Sequence, residues 1–579
     1  MKTNNKWEEI NTFVNVLRYR ALENPDGRAY TFLNNNEKEF ITYGLLDKKA
    51  RMTAACLQDY GAYCQPVLLL FQPGIEYICS FFGCLYAGAY AVPSYLPKLN
   101  RTDDRLMSIV RDTGTKFALV DKSVLKSEAK IIKNTPDLAG VKWISQEQLE
   151  KYDYSEWNKT TVEKTHIAFL QYTSGSTKRP RGVMVSHSNL LHNSEAIRQN
   201  FGQSEKSKAV IWLPPYHDMG LIGGIIQPMY SGFEAVLMSP FSFIENPLRW
   251  LEAITEYKST VSGGPDFAYE LCTRKISEEQ KQSLSLESWE IAFNGSEPIK
   301  YQSMLNFYNK FKDCGFRWEA FHPCYGLAEA TLLVSGKGIE QVPYICDFEK
   351  NDVEAGYVKE AANNENSIKL VSSGTKNKED KILIINPETV CEQEGKIGEV
   401  WIKGPGIASG YWKNEDETSK VFNAFVKNTG EGPFMRTGDL GFFIGNQLFI
   451  NGRIKDLIII RGKNHYPQDI EATVEQNLSV LRSGSSAAFI IEKDLENKLV
   501  VVAEIERSSR NMDTAPIVET IRKLVSENHG ISVYSVIILK PHGMPKTSSG
   551  KVQRSLCKKM YLEGSLDAVC MHILEDKEM

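Results

Sequence analysis

Repeatedly in this chain a strand-length apolar run stops at a cluster of Gly, Ser, Pro or Asn, at 172–177, 214–215, 263–264, 294–296 and 325–326. Several helix-like stretches lie between these runs, and strands alternating with helices build a largely parallel sheet with covered faces. In such sheets ligands lie beyond the carboxyl ends of the strands, so loops of this kind imply one shared crevice.

The most distinctive loop is 172–182, YTSGSTKRPRG. An apolar run enters it and a β-prone run, 183–186, leaves it, which predicts a tight strand-to-strand turn. Thr173, Ser174, Gly175, Ser176 and Thr177 offer closely spaced backbone N–H groups, hydroxyls and little bulk, which suits wrapping phosphate oxygens. Lys178, Arg179 and Arg181 add positive charge. The loop lacks the Gly-Lys-Ser/Thr ending of the common phosphate loop, and by itself it reads equally as a flexible Ser/Gly turn with a solvated basic flank.

With 579 residues the chain exceeds what one core usually supports, and two or more domains are expected. A net charge of -4 leaves no global basic field, which argues against nucleic acid or an anionic membrane surface as the main partner. Eleven cysteines without a CxxC pair, and an amino terminus without the make-up of a signal peptide, point to reduced thiols in a cytoplasmic protein. The nine histidines lack HExxH-like spacing, so no structural zinc is expected. Residues 75–93 are almost uncharged and near spanning length. Gly83, Gly88 and Pro93, with a strand-like VLLLF run just before, favour a buried helix over an integral membrane segment.

In chain order the pattern predicts a helix over 13–20, a hairpin over 28–42 and a helix over 43–60. A strand at 67–71, the buried helix, a strand at 89–92, a helix at 105–113 and a strand at 117–120 follow, giving a layered α/β domain. Residues 121–162 read as a polar, irregular connection, and Ser188 as the N-cap of a helix over 189–199. His217 is either a satisfied core histidine or, between a strand end and the Gly-rich apolar stretch 219–227, a ligand-facing one. That stretch and 264–271 are the candidate walls of an acyl channel. Gly263 and Gly264 mark either a ligand's close approach or tight helix–sheet packing. Asn294, Gly295 and Ser296 follow one strand, and Tyr325, Gly326 and Glu329 another. Tyr325 offers a flat face for a purine and Glu329 a hard oxygen for Mg2+; singly, each is equally an ordinary turn aromatic or a solvated carboxylate.

Taken together, YTSGSTKRPRGV, WLPPYHDMG, FNGSEP, HPCYGLAEAT, GEVWIKGPGIASGYW, RTGDLG, NGRIKDLIIIRG and MPKTSSGK resemble, in order and over nearly the whole chain, the adenylate-forming superfamily of acyl-CoA synthetases, peptide-synthetase adenylation domains and luciferases. PPYHDMGLIGG, GGPDFAYELC and RGKNHYPQDIE resemble its fatty acyl-AMP ligases most. The resemblance implies attack of a fatty carboxylate on the α-phosphate of Mg-ATP, then transfer of the acyl group to the phosphopantetheine thiol of an acyl carrier protein. It implies that residues 173–177 cradle pyrophosphate, that Glu329 holds Mg2+, and that Asn294, Gly295, Ser296, Tyr325 and Gly326 surround adenine. It further gives Asp439 and Arg453 to the ribose, His217 to the ligand-facing wall, and Lys551 to the developing charge on the carboxylate and α-phosphate. Two departures stand out: Lys178 replaces a common glycine, and Arg181 a common lysine, which keeps the charge but changes its geometry.

The same resemblance makes Lys455 a hinge between a large adenylation domain, 1–453, and a small mobile α+β lid, 454–579, with strands or helices over 457–460, 469–477, 486–491, 499–504, 517–528 and 535–539. Residues 336–370 read as an insertion anchored by Ile339, Val342, Tyr344, Ile345 and Phe348, of the kind that restrains the lid and disfavours CoA. The rival readings are a fatty acyl-CoA synthetase using free CoA and a catalytically silent nucleotide-binding homologue.

Overall fold

The computed structural model describes residues 10–574 except 35–36, 98, 100–101, 160, 174–179, 363–365, 461–462, 494–495 and 548–549. The expected phosphate-cradling residues Ser174, Gly175, Ser176 and Thr177 therefore lie outside the described residues, as do Asn363, Asn364 and Glu365 of the expected insertion.

Two sheets carry the larger part of the chain. In the first, six adjacent strands pair parallel: Arg28–Asn34, Ala235–Met238, Ala209–Ile211, Val261–Gly264, Ile291–Asn294 and Phe321–Gly326. Glu37–Thr42 closes one edge antiparallel, and Leu333–Gly336 and Thr375–Lys376 the other. In the second, Lys142–Ser145, Phe117–Val120, Pro66–Leu70, Tyr90–Pro93 and Ile167–Thr173 run parallel, and Arg181–Ser186 returns antiparallel to the last. Strands such as PVLLL, AVLM and IAFN are buried along their whole length, as expected where both faces are covered. The suspect apolar segment forms Ile75–Ala87, a helix buried against Tyr43–Asp59, and among the described residues no helix is long and apolar enough to cross a membrane.

Two expectations need correction here. The stretch 121–162 is not merely irregular: Lys142–Ser145 is the outermost parallel strand, and the helices Lys122–Leu125 and Glu128–Asn134 precede it. Val124, Ile131, Leu138 and Trp143 each bury one side chain in a common core, but elements this short give too few apolar positions to show a period. The helix expected after Ser188 starts earlier, at His187–Asn200, with Ser186 as N-cap; its Oγ accepts the Asn189 N–H at 3.2 Å.

Beyond the two sheets, Lys381–Ile385, Gly398–Lys403, Met435–Ile444 and Gln447–Arg453 form an antiparallel sheet, in which Asp439 stands opposite Arg453. From Ile458 onward a separate core gathers Ile458, Ile470, Val474, Val501, Ile521 and Val536 under a four-stranded sheet of Leu481–Lys493, Glu496–Ile505, Val533–Leu539 and Ala568–Ile573. The last of these strands was not expected from the sequence.

The insertion folds into a strand pair, Ile345–Glu349 with Ser367–Val371, and a short helix, Lys350–Glu354. Only some of the expected anchors hold it: Phe348 is buried, whereas Ile339, Val342 and Tyr344 remain exposed because they precede the strand pair. Phe348 and Val353 pack with Leu440, Phe442, Phe449 and Tyr466, so one apolar cluster spans the insertion, the antiparallel sheet and the start of the C-terminal part. Lys350 Nζ also donates to the Asn528 carbonyl, and Lys463 Nζ lies 3.6 Å from Glu354.

Candidate active site

The crevice begins where three parallel strands end side by side, with Gly264 in register with Asn294 and Asn294 with Pro323. A Cβ on Gly263 would lie 2.1 Å from the Phe293 carbonyl oxygen, and one on Gly264 2.5 Å from the Trp212 ring. These glycines therefore serve close packing, and the ligand-approach alternative is set aside. Asn294 is fully buried; its Nδ2 donates to Asp266 Oδ1 at 3.1 Å, and its Oδ1 has no partner. Two residues on, Ser296 has φ +72°, and Thr331 in the neighbouring loop has φ +68°. Non-glycine residues in this region are strained, a feature that clusters at ligand clamps.

A Cβ on Gly326 would lie 1.7 Å from the Leu332 carbonyl oxygen, so only glycine lets this loop fold back on itself. Beside it, Tyr325 Oη donates to Asp439 Oδ2 at 2.6 Å, while Arg453 Nε pairs with Asp439 Oδ1 at 2.8 Å. Asp439 is 4% exposed, so a nearly buried carboxylate is held by two donors at the edge of the crevice.

Glu329 Oε1 accepts from Tyr411 Oη at 2.8 Å. Burial pushes the Glu329 carboxyl above its ordinary range, with Tyr411 and Arg453 opposing. Arg181 lies over the Tyr411 ring at 5.3 Å and pairs with Glu417 at 2.7 Å, which gives the departure at this position a local role. Thr173 and Arg181 face each other at the mouth of the expected strand-to-strand turn.

His217 is not a core histidine: it is partly exposed, and its Nδ1 stands 2.6 Å from Asp218 Oδ1. Burial pushes the Asp218 carboxyl up, but His217 and, more weakly, Lys551 outweigh it and hold the group below the usual carboxylate range. Past Asp218, Met219–Ile226 forms a π-helix, a wider winding that recurs at functional sites.

Lys551 comes from the C-terminal core, yet its charge lies in the field of Glu297, Asp218 and Asp439. Burial draws its pKa below the ordinary lysine range, and those carboxylates pull it back up. Lys455 lies in the turn Ile454–Asp456, directly after the strand that ends at Arg453. Tyr325, Asp439, Arg453, Glu329, Asp218, Glu297 and Lys551, drawn from both cores, thus stand within one another's electrostatic reach. The reading of the sequence missed Asp218, Asp266, Glu297, Tyr411 and Glu417 as site members. Tyr411 and Glu417 meet partners far along the chain, 82 residues in the case of Tyr411 and Glu329, and no local pattern marks them, whereas Asp218 pairs with the adjacent His217 and, like Asp266 and Glu297, lies inside one of the motifs above.

An open α/β sheet with such a crevice, and a lysine brought to it from a second core, has the architecture of the ligand-binding α/β enzymes. Residues 17–412 match the AMP-binding enzyme family, and residues 455–570 match the AMP domain of Disco-interacting protein 2-like proteins. The medium-chain-fatty-acid–[acyl-carrier-protein] ligase JamA of Moorena producens is 43% identical, over 96% of each chain. The corresponding ligase TtuA of Teredinibacter turnerae is 31% identical, over 98% of this chain and 96% of its own. A fatty acyl-adenylate ligase from L. pneumophila, solved with acyl adenylate and pyrophosphate, superposes with a TM-score of 0.76 at 42% identity, covering 98% of this chain and 99% of that one. The chain belongs to the AMP-binding enzyme family, among its fatty acyl-AMP ligases.

Proposed function

We propose that this protein activates a fatty acid with ATP and passes the acyl group to the phosphopantetheine thiol of an acyl carrier protein. A carboxylate oxygen attacks the α-phosphorus, the bond to pyrophosphate breaks, and an acyl-adenylate forms; the thiol then attacks the acyl carbonyl and AMP leaves. What supports this reading is that the charge of Lys551, from the C-terminal core, lies in the field of Asp218, Glu297 and Asp439 from the other. Such a cation stabilises charge developing on the carboxylate and α-phosphate oxygens, while the remaining work is positioning. Asp439 accepts the ribose hydroxyls with Arg453 beside it, Tyr325 and residues 294–296 border the adenine, and 173–177 wrap the pyrophosphate. His217, fixed by Asp218, lines the wall along which the fatty carboxylate enters.

Glu329 is the residue for Mg2+. Mg2+ is commonly held by one or two carboxylates together with the substrate's phosphates rather than by an all-protein cage. Bound there, Mg2+ neutralises phosphate charge, and it also favours the ionised form of a carboxylate that burial disfavours.

The reading divides the chain into an adenylation domain, 1–453, and a lid, 454–579, turning about Lys455 between the two half-reactions. The insertion braces the lid through Phe348, Tyr466 and Lys350, which favours a carrier protein over free CoA. A cytoplasmic setting, where ATP and carrier proteins are both present, belongs to the same reading. The test is incubation with ATP, Mg2+ and graded fatty acids, with products resolved by mass in the presence of CoA or a carrier protein. Acyl-CoA as the main product favours the synthetase reading, and no fatty-acid-dependent pyrophosphate release leaves a silent homologue.

A further inference from the structure

Asp266 has no role of its own in the reaction above, yet it is 2% exposed at the first turn of Asp266–Lys275 and holds the adenine-loop residue Asn294. Its Oδ1 accepts from Asn294 Nδ2 at 3.1 Å and from the Lys300 backbone N–H at 3.3 Å. On its other side, Oδ2 and Ser303 Oγ lie 2.7 Å apart, and the same Ser303 Oγ lies 2.8 Å from Glu270 Oε1. A hydroxyl has one hydrogen to give, so it cannot donate to both carboxylates at once. Burial and the neighbouring Glu270 push the Asp266 carboxyl up to about 7, with Lys300, Ser303 and Asn294 opposing. When that proton is present it belongs on Oδ2, where Ser303 accepts it and passes its own hydrogen to Glu270. Oδ1 is bound by a backbone N–H and stays an acceptor on both sides of neutrality.

An acceptor at Oδ1 dictates which way the Asn294 amide faces. The reversed amide would set two oxygens against each other at about 3 Å in a buried place, an arrangement with no compensating hydrogen bond. The allowed orientation leaves the buried Asn294 Oδ1 without a partner. It matches an N–H donor such as the exocyclic amine of adenine and opposes the oxo group that guanine and hypoxanthine carry at that place.

We propose that Asp266 is a positioning residue that sets base selectivity, fixing the Asn294 amide so that the site accepts a 6-amino purine nucleotide and rejects a 6-oxo one. The proposal rests on the reading that Asn294 borders the base. Sites built to satisfy a particular hydrogen bond discriminate steeply against ligands lacking it.

The experiment measures fatty-acid-dependent pyrophosphate release with ATP and with inosine triphosphate in the full chain, and reads the ratio of the two kcat/KM values. Asp266→Ala removes the acceptor, so the Asn294 amide is free to turn and the preference for ATP falls by about tenfold or more; Asp266→Asn, whose amide oxygen the Lys300 N–H keeps in the same place, holds the preference. A merely structural loss would lower both substrates together and leave the ratio in place. Asp266→Ser, whose single oxygen lies one bond short of Asn294, decides the matter in the same way if the alanine variant does not fold. Asn294→Ala separates the two claims. A ratio that collapses in Asn294→Ala but keeps its wild-type value in Asp266→Ala overturns the role of Asp266 alone. A wild-type ratio in Asn294→Ala overturns the placement of Asn294 at the base, and this proposal with it.

Discussion

Replacing Asp439 with alanine separates what the carboxylate does for the fold from what it does for the reaction. For the fold, Tyr325 Oη loses the acceptor it holds at 2.6 Å, and a buried donor without a partner costs about 1–3 kcal/mol. Arg453 loses its partner as well, but its side chain is 52% exposed and can be rehydrated, which keeps the structural cost in that range. For the reaction, two ribose hydroxyls lose a charged acceptor, each hydrogen bond contributing about 1.5–3 kcal/mol. The sum, about 3–6 kcal/mol, corresponds to a loss of roughly 10²- to 10⁴-fold in kcat/KM for ATP. Asp439→Asn keeps one acceptor and falls between alanine and wild type. The assay is fatty-acid-dependent pyrophosphate release over a range of ATP concentrations, with thermal melting run alongside. A folded alanine variant within a few-fold of wild type would refute the reasoning, because no other described carboxylate has the same pair of donors from Tyr325 and Arg453.

Lys551→Ala folds normally and loses roughly a hundredfold or more in adenylate formation, read as pyrophosphate release; near-wild-type release removes the residue from the mechanism. The protonated amine is the active form, so the rate falls as pH rises through the Lys551 pKa, and burial makes that fall begin below the ordinary lysine range near about 10.4. Glu297 pulls this pKa up, so Glu297→Gln moves the fall to lower pH, and an unmoved profile takes Glu297 out of the lysine's field. Glu329→Gln raises the Mg2+ concentration needed for half-maximal activity by about tenfold, which a metal titration reads directly; an unchanged titration assigns Mg2+ elsewhere. Deleting 341–366 removes Phe348 and Lys350 from the brace and yields measurable acyl-CoA, whereas a folded deletion variant still inert towards CoA counts against the insertion as the selector.

The strand ends and their loops were legible because backbone geometry writes itself locally. Gly326 is glycine because a carbonyl oxygen fills the place of a Cβ, and the buried IAFN and PVLLL runs could only be strands or buried helices. Asp439 and Lys551 were legible only through the resemblance, since a turn carboxylate and a lysine in a polar tail carry no sign of their destination. Several of the residues missed in the site owe their positions to long-range pairing. Tyr411 meets Glu329, Arg181 meets Glu417, and Asp266 meets Ser303, and nothing within a few positions of any of them announces its partner. The strand at Lys142–Ser145 was lost for the opposite reason, its buried residues being too few to stand out from a polar surrounding.

The hairpin in which Asp439 faces Arg453 ends one residue before the turn that carries Lys455. On the proposed reading, the anchor for the sugar and the axle of the lid are stretches of one ribbon, so a tighter or looser grip on the nucleotide would be felt at the pivot through the backbone itself.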